Sequence, residues 1–165
     1  MFSSALSHDA AALVAELDRR GLMLSTAESC TGGLVAALLT SVPGSSSVVD
    51  RGFVTYSNEA KAQMLGVPMA LIETHGAVSA EVARAMAESA QQRSISDLAI
   101  SITGIAGPGG GSTEKPVGLV HFACARLERA TLSLERRYGD IGREQIRMAA
   151  VADALALIHM QLETN

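Results

Sequence analysis

The amino-acid sequence predicts an α/β protein, a three-layer α/β/α sandwich with a mixed, mostly parallel sheet. The predicted elements run helix, then βαβα, then a group of strands and a closing helix, an order typical of such sandwiches. Apolar residues make up 48% of the chain and aromatic residues only 3%, so the core must be aliphatic, which suits helices packed on a sheet. Two consecutive strands near the C-terminus indicate that the sheet is not entirely parallel.

The length of 165 residues favours one domain, residues 1–165. A chain of this size buries roughly 70% of its unfolded surface, so it needs no disulfide or metal to stabilise its core.

In the first half, a helix is predicted over residues 7–20, capped by Ser7 and ended by Gly21. A strand over 22–27 leads through a polar turn, 28–33, into a helix over 34–40. A second strand over 52–57 leads into a helix that Ser57 or Asn58 caps and that residues 66–68 end. Lys61 lies in the first turn of that helix.

In the second half, Ser79 caps a helix with apolar residues at helical spacing. Residues 98–103 form a buried strand and residues 104–116 a glycine-rich loop. Two further strands cover 117–125 and 131–138, and a long amphipathic helix follows Gly142.

Several function classes are disfavoured. The net charge of −4 argues against nucleic-acid binding, which usually shows a basic excess. Cys30 and Cys124 form no CxxC pair, the four histidines show no metal-ligand spacing, and the N-terminus lacks a signal peptide. No apolar run is long enough to span a bilayer. We therefore expect a cytoplasmic protein without metal, cofactor, membrane or nucleic-acid partner.

The turn over residues 28–33 is the first candidate site. Its members Glu28, Ser29, Thr31 and Gly32 offer hydroxyls and backbone N–H groups at a helix N-terminus, where anions or carbonyl oxygens bind. An ordinary capped loop is the alternative. Because parallel strands present their carboxyl ends at one edge, ligands bind there.

The glycine-rich loop is neither a Walker loop nor a Rossmann fingerprint, since Gly-Lys-Ser/Thr and GxGxxG are both absent. It is by itself consistent with a flexible connection. Thr103 and Gly104, which end the preceding strand, are expected at the same sheet edge as the 28–33 turn.

Lys61 is the candidate base. A lysine acting as a base at neutral pH must lose roughly 3 pKa units, about 4–5 kcal/mol, of which the helix dipole supplies only about 0.3–1 kcal/mol. Desolvation and a neighbouring cation must supply the rest, and Arg143 is the best candidate cation, or else a phosphate ligand. Tyr56 could orient Lys61 or relay a proton. Alternatively, all three are ordinary surface or strand residues. A separate alternative is that Cys30 acts as a thiol nucleophile at a helix N-terminus.

Six ordered motifs give the chain a resemblance to a known family. They lie at residues 26–33, 43–46, 52–61, 75–79, 103–108 and 115–118. Together they resemble the CinA C-terminal domain family of nicotinamide-nucleotide amidohydrolases, also called NMN deamidases. The larger members carry an additional N-terminal domain, so the sequence looks like a stand-alone form.

The resemblance implies hydrolysis of the carboxamide of nicotinamide mononucleotide (NMN), giving nicotinate mononucleotide and ammonia, within pyridine-nucleotide (NAD) recycling. It also implies a metal-independent serine–lysine mechanism in which Lys61 is the base and Tyr56 supports it. Arg143 and the Ser/Thr/Gly turns, Ser45 among them, would bind phosphate and ribose. A homodimer or higher homo-oligomer is also implied.

The nucleophile stays open between two serines and a water molecule. The family pattern points to Ser46, yet an extended strand over 52–57 covers about 20 Å and would separate Ser46 from Lys61. Either the chain folds back or a second subunit completes the site. Ser29 has no such difficulty if the first two strands are parallel. A nucleotide-binding regulatory module without catalysis is the rival function.

Overall fold

The computed structural model describes residues 2–164 and shows a five-stranded sheet in the order β2-β1-β3-β4-β5. The strands are β1 (Leu24–Glu28), β2 (Val49–Val54), β3 (Leu98–Gly104), β4 (Leu119–Arg126) and β5 (Leu132–Arg137). The helices are α1 (Ser4–Arg20), α2 (Leu34–Thr40), α3 (Asn58–Ala60), α4 (Met69–His75), α5 (Ala80–Gln92) and α6 (Arg143–Glu163). A 3-10 turn covers Ser45–Ser47, and a π-helical turn, Lys61–Leu65, continues α3.

The sheet is mixed, as predicted. β1 pairs with β2 and β3 in parallel, whereas β4 runs antiparallel to both β3 and β5. Four of the five strands therefore point the same way. The carboxyl ends of β1, β2 and β3 meet at one edge, where Glu28 pairs with Val54 on one side and Ile102 on the other.

Helices cover both faces of the sheet, which confirms the three-layer sandwich. Buried residues of α1, α2 and α6 pack on one face, against Ile100 and Phe122 among others. Buried residues of α4 and α5, with Leu65 of the π-helical turn, pack on the other face against Ala27 and Ala99. Neighbouring β3 residues thus face opposite layers, as the pleat of a strand requires.

The second strand lies three residues earlier than predicted. Pairing with β1 places it at Val49–Val54, with a register shift between Leu24 and Ser25. The last backbone hydrogen bond between this segment and β1 runs from the Thr55 N–H to Glu28 O. Ser57 then caps α3, because its hydroxyl accepts from the Ala60 N–H. Tyr56 is consequently in the strand-to-helix connection and not in the strand.

Two helix predictions were also wrong. Ser7 lies inside α1, which begins at Ser4 because the Ser3 hydroxyl accepts from the Leu6 N–H. Helix α4 was missed because it starts after Pro68 without a side-chain cap. Within residues 2–164, no helix combines the length and apolar character needed to cross a membrane.

Candidate active site

A serine and a lysine meet at the carboxyl edge of the parallel strands. Ser29 follows β1 directly, and Lys61 follows β2 and α3. The Lys61 Nζ lies 3.0 Å from the Ser29 Oγ and 2.8 Å from the Thr55 carbonyl oxygen. The Ser29 backbone is fixed as well, because its N–H donates to Ile102 O on β3 at 2.9 Å. A hydroxyl and an amine at this distance can exchange a proton directly.

Lys61 is buried without a counter-ion. Its side chain is among the largest fully buried ones, with 1% of the residue exposed. Among residues 2–164, no carboxylate forms an ion pair with it. Burial lowers the pKa of the Lys61 ammonium below its ordinary value of 10.5, because desolvation disfavours the charged form. Burial is the main cause of this lowered pKa. Arg143 bonds Tyr56 and Gly107 and not Lys61, so its role as the nearby cation stays a prediction.

The helix that carries Lys61 changes its winding at this residue. Lys61 begins the π-helical turn, and Gly66, in the left-handed conformation, ends it by donating to Ala62 O. Such turns are rare and occur frequently at functional sites. Here the first residue of the turn, Lys61, reaches the Ser29 Oγ and the Thr55 carbonyl oxygen at the carboxyl ends of β1 and β2.

Ser29 and Lys61 open into a cavity of about 280 Å³. Its lining comes from the ends of β1 and β3, the connection after β2, two loops and the start of α6. The lining residues are Ser29, Cys30, Tyr56, Asn58, Lys61, Ala77, Val78, Thr103, Gly104, Ile105, Ala106, Gly107, Gly109, Gly110 and Arg143. Two of these are basic and none is acidic, so the cavity suits a ligand with an anionic group although the chain as a whole is acidic.

Tyr56 and Arg143 form the outer part of this cavity. Arg143, the first residue of α6, donates from Nη2 to the Tyr56 hydroxyl at 2.8 Å and from Nη1 to Gly107 O at 2.8 Å. Tyr56 is 61% exposed, and within the described chain its hydroxyl bonds Arg143 and not Lys61. The structure therefore brings Tyr56 to the cavity of Lys61, without a hydrogen bond between the two side chains within residues 2–164.

Thr103 and Gly104 line the cavity from β3, as predicted. The Thr103 hydroxyl donates to Ala77 O at 2.8 Å, which fixes the 75–79 loop on the opposite wall. Gly104 sits so close to β4 that an added Cβ would lie 2.6 Å from a Val120 methyl group. Both residues shape the cavity wall. The Thr103 hydroxyl is not free to donate to a ligand, because it donates to the Ala77 carbonyl.

Ser46 and Ser45 lie at the amino-terminal ends of the parallel strands, opposite the end where Ser29 and Lys61 meet. They belong to the 3-10 turn before β2, and β2 starts with Val49 beside Leu24, the first residue of β1. The six-residue strand covers about 20 Å, so one chain does not bring Ser46 to Lys61. Ser46 is exposed and Ser45 is buried, and neither lines the cavity.

Glu28, Thr31 and Gly32 do not line the cavity either. The Glu28 carboxylate accepts from the backbone N–H groups of Gly33, Val35 and Ala36 at 2.9–3.1 Å. The N-terminus of α2 is thus filled by a side chain of the protein itself, so the N–H groups of Gly33, Val35 and Ala36 are not available to an anionic ligand. The carboxylate is needed because Gly33, at the N-cap, has no side chain to cap α2.

Cys30 also lies in the cavity wall, but its chemistry differs from that of an activated thiol. Burial raises the pKa of the Cys30 thiol to about 12, so the thiol stays protonated at neutral pH. Since the thiolate is the nucleophilic form, this disfavours the thiol alternative. Within residues 2–164, no group of three or more His, Cys, Asp and Glu side chains is placed to hold a metal ion.

Sequence reasoning missed three features of the site. The Thr55 carbonyl that accepts from Lys61 is a backbone group, and the pattern of side chains does not show it. Asn58, Ala77 and Val78 line the cavity, but none of them was predicted to. Residues 75–79 were recognised only as one of the six family motifs. Arg147, on the second turn of α6, donates to Cys30 O and Thr31 O.

The sequence and the fold of the chain were compared with those of known proteins, and both match one family. The model of the CinA C-terminal domain matches residues 7–162. The structure of the competence/damage inducible protein CihA from Agrobacterium tumefaciens has a TM-score of 0.97 and 51% identity, with 99% of each chain covered. A CinA superfamily protein from Escherichia coli has a TM-score of 0.89 and 34% identity, covering 98% of this chain and 94% of that one.

Longer relatives match as well. A putative competence-damage inducible protein from Symbiobacterium thermophilum is 52% identical over 158 residues, and a CinA-like protein from Anaeromyxobacter sp. is 49% identical over 163 residues. These matches cover 88% and 98% of this chain but 36% and 39% of the relatives. The fold, the matched residues and the solved structures agree, and the chain belongs to the CinA C-terminal domain family.

Proposed function

We propose that the protein is an amidohydrolase that converts NMN and water to nicotinate mononucleotide and ammonia, with Ser29 as nucleophile and Lys61 as base. The observation that carries the proposal is the 3.0 Å distance between the Ser29 Oγ and the buried Lys61 Nζ. Burial favours the neutral amine, which is the form that accepts a proton.

The two half-reactions follow from this pair. Lys61 takes the hydroxyl proton while the Ser29 Oγ attacks the carboxamide carbon, giving a tetrahedral oxyanion. The C–N bond then breaks, Lys61 returns the proton to the departing nitrogen, and ammonia leaves. Lys61 next takes a proton from water, whose oxygen attacks the acyl ester, and Ser29 regains its proton as nicotinate mononucleotide leaves.

The cavity suits the rest of the substrate. Arg143 stands at the start of a 21-residue helix, where backbone N–H groups and the helix dipole favour an anion. Its guanidinium can add paired hydrogen bonds to phosphate oxygens. We assign the NMN phosphate to Arg143 and the α6 N-terminus, while Tyr56 holds Arg143 in place. The carboxamide then points inwards to Ser29.

Ammonia release from NMN in the presence of EDTA tests the proposal. The wild type should release ammonia with EDTA present, and Lys61→Ala should lose activity by about 10²–10⁴-fold. NMN binding by calorimetry without turnover, on folded wild-type protein, would instead favour the binding module without catalysis.

The homo-oligomer implied by the family resemblance is part of the proposal, most simply as a dimer. Analytical ultracentrifugation gives the oligomeric state. Mixing the two inactive variants Ser29→Ala and Lys61→Ala gives a second readout. Because both groups meet within one chain, the mixture should stay inactive, and restored activity would mean that subunits share the site.

A further inference from the structure

Arg147 holds the turn that follows Ser29. Its Nε donates to Cys30 O at 3.1 Å and its Nη2 to Thr31 O at 3.0 Å. The guanidinium lies against the turn, since an added Cβ on Gly32 would be 3.4 Å from Nη2. One side chain from α6, 116 and 117 residues away in the chain, thus fixes two successive peptide groups.

These contacts determine which way the N–H groups point. The peptide bonds of the turn are trans, so each N–H points opposite to its carbonyl. With both carbonyls turned to Arg147, the Thr31 and Gly32 N–H groups face away from it. The Gly32 N–H donates to Ser29 O at 3.0 Å, which links Arg147 to the Ser29–Cys30 peptide. Within residues 2–164, the Thr31 and Cys30 N–H groups have no backbone acceptor.

The charge of Arg147 acts on the same peptide groups. Hydrogen bonds from a guanidinium to a carbonyl are charge-assisted, and they polarise the peptide so that its N–H becomes a better donor. Its field reaches the cavity wall, because its positive charge lowers the pKa of the Cys30 thiol against the dominant effect of burial. A negative charge developing beside Ser29 is stabilised by the same field.

We infer that Arg147 is a positioning residue that holds the turn after Ser29 and, through the Gly32 N–H bond to Ser29 O, polarises the Ser29–Cys30 peptide, so that the Cys30 N–H stabilises the oxyanion of the reaction. This inference rests on the proposed function, since it assumes that Ser29 is acylated. Arg147 itself does not line the cavity, and it acts through the turn. The residue after a nucleophile is a common source of such an N–H donor.

Two measurements on the full chain test the inference. Steady-state kinetics with NMN give kcat and KM. A fluorophosphonate gives a substrate-independent readout: the Ser29 Oγ attacks phosphorus, fluoride leaves and Lys61 takes the hydroxyl proton. Mass spectrometry then yields both the rate constant and the final fraction of labelled Ser29.

Arg147→Met should lower kcat and the labelling rate constant by about tenfold or more, since one oxyanion donor is worth about 10²–10³ in kcat. KM should stay within about threefold, and the labelled fraction should still approach completion. A merely structural role would instead lower the labelled fraction at an unchanged rate constant. Arg147→Lys keeps the charge and one hydrogen bond, so its kcat and labelling rate constant should lie between those of the wild type and Arg147→Met.

Arg126 supplies a matched control. It also donates to a backbone carbonyl, Gln161 O at 2.9 Å, but at the opposite end of β3, beside Leu98. Arg126→Met should leave both rates within about twofold of the wild type. Wild-type rates in folded Arg147→Met, or in Arg147→Lys if the first variant does not fold, would overturn the inference.

The inference and the proposed function fail in different ways. A wild type that labels at Ser29 but does not deamidate NMN contradicts the substrate, and the labelling rates still decide the role of Arg147. A wild type that neither labels at Ser29 nor deamidates NMN contradicts both.

Discussion

The Lys61 Nζ lies 3.0 Å from the Ser29 Oγ although 32 residues separate them in the chain. The contact exists because β1 and β2 are parallel neighbours, so that both strands end at the same sheet edge. The parallel pairing of β1 with β2 therefore determines which serine Lys61 meets.

The pH dependence of activity should report the state of Lys61. Because burial lowers the pKa of Lys61 below 10.5, kcat/KM for NMN should rise with pH and level off at an apparent pKa below that value. Lys61→Arg keeps the positive charge but cannot lose its proton. We expect that variant to be inactive at every pH, and a pH-rate profile of the parent without such a rise would contradict the role of Lys61 as base.

Stability should depend on Lys61 in a defined direction. In the pH window between its lowered native pKa and 10.5, the unfolded chain binds more protons than the native protein, so the free energy of unfolding rises with pH. Lys61→Met removes this dependence. Urea unfolding of parent and variant near pH 7 and near pH 10 should therefore show the parent gaining stability relative to the variant as the pH rises.

The opposite trend, with the parent losing stability relative to Lys61→Met on going to pH 10, would mean that Lys61 is stabilised as an ammonium ion. Comparing each variant with the parent at the same pH cancels the other titrating groups.

Glu28→Gln tests the cap of α2. The carboxylate accepts three backbone N–H groups, whereas an amide offers one oxygen. We expect a loss of about 1–3 kcal/mol in the free energy of unfolding, together with reduced activity because Ser29 is the next residue. Exposed Glu73 gives the control, and Glu73→Gln should change stability by less than about 0.5 kcal/mol. Equal stabilities of the two variants would contradict the capping role.

Two glycines of the same cavity wall should respond differently to alanine. A Cβ on Gly104 would lie 2.9 Å from the Leu119 carbonyl oxygen, whereas one on Gly109 meets nothing within 4 Å. Gly104→Ala should cost about 1–3 kcal/mol, and the melting temperature should fall by about 2–4 °C per kcal/mol. Gly109→Ala should melt at or slightly above the wild type, and a similar loss in both would contradict the close approach of β3 to β4.

The layer order and the place of Lys61 in the cavity were predictable because they depend on local signals. Apolar spacing and caps predict the helices. Lys61 is conspicuous because it lies in the first turn of a helix, where the helix dipole disfavours a positive charge. The choice between Ser29 and Ser46 stayed open, since it depends on the parallel pairing of β1 with β2, which no local signal shows.

Residues that bind backbone groups were also missed or misassigned. Arg147 donates to carbonyls of the distant Cys30–Thr31 segment, and no side-chain pattern shows that pairing. Glu28 caps α2 from the end of β1, upstream of the positions where caps are usually sought. The glycine at the N-cap was the available signal, because Gly33 leaves α2 without a capping side chain of its own.

The most direct test compares Ser29→Ala with Ser46→Ala in NMN deamidation, on proteins shown to be folded by thermal unfolding. Since Ser29 contacts Lys61 and Ser46 lies at the opposite sheet edge, Ser29→Ala should lose kcat by about 10³-fold or more, and Ser46→Ala should stay within about threefold of the wild type. An active Ser29→Ala beside an inactive Ser46→Ala would contradict the account.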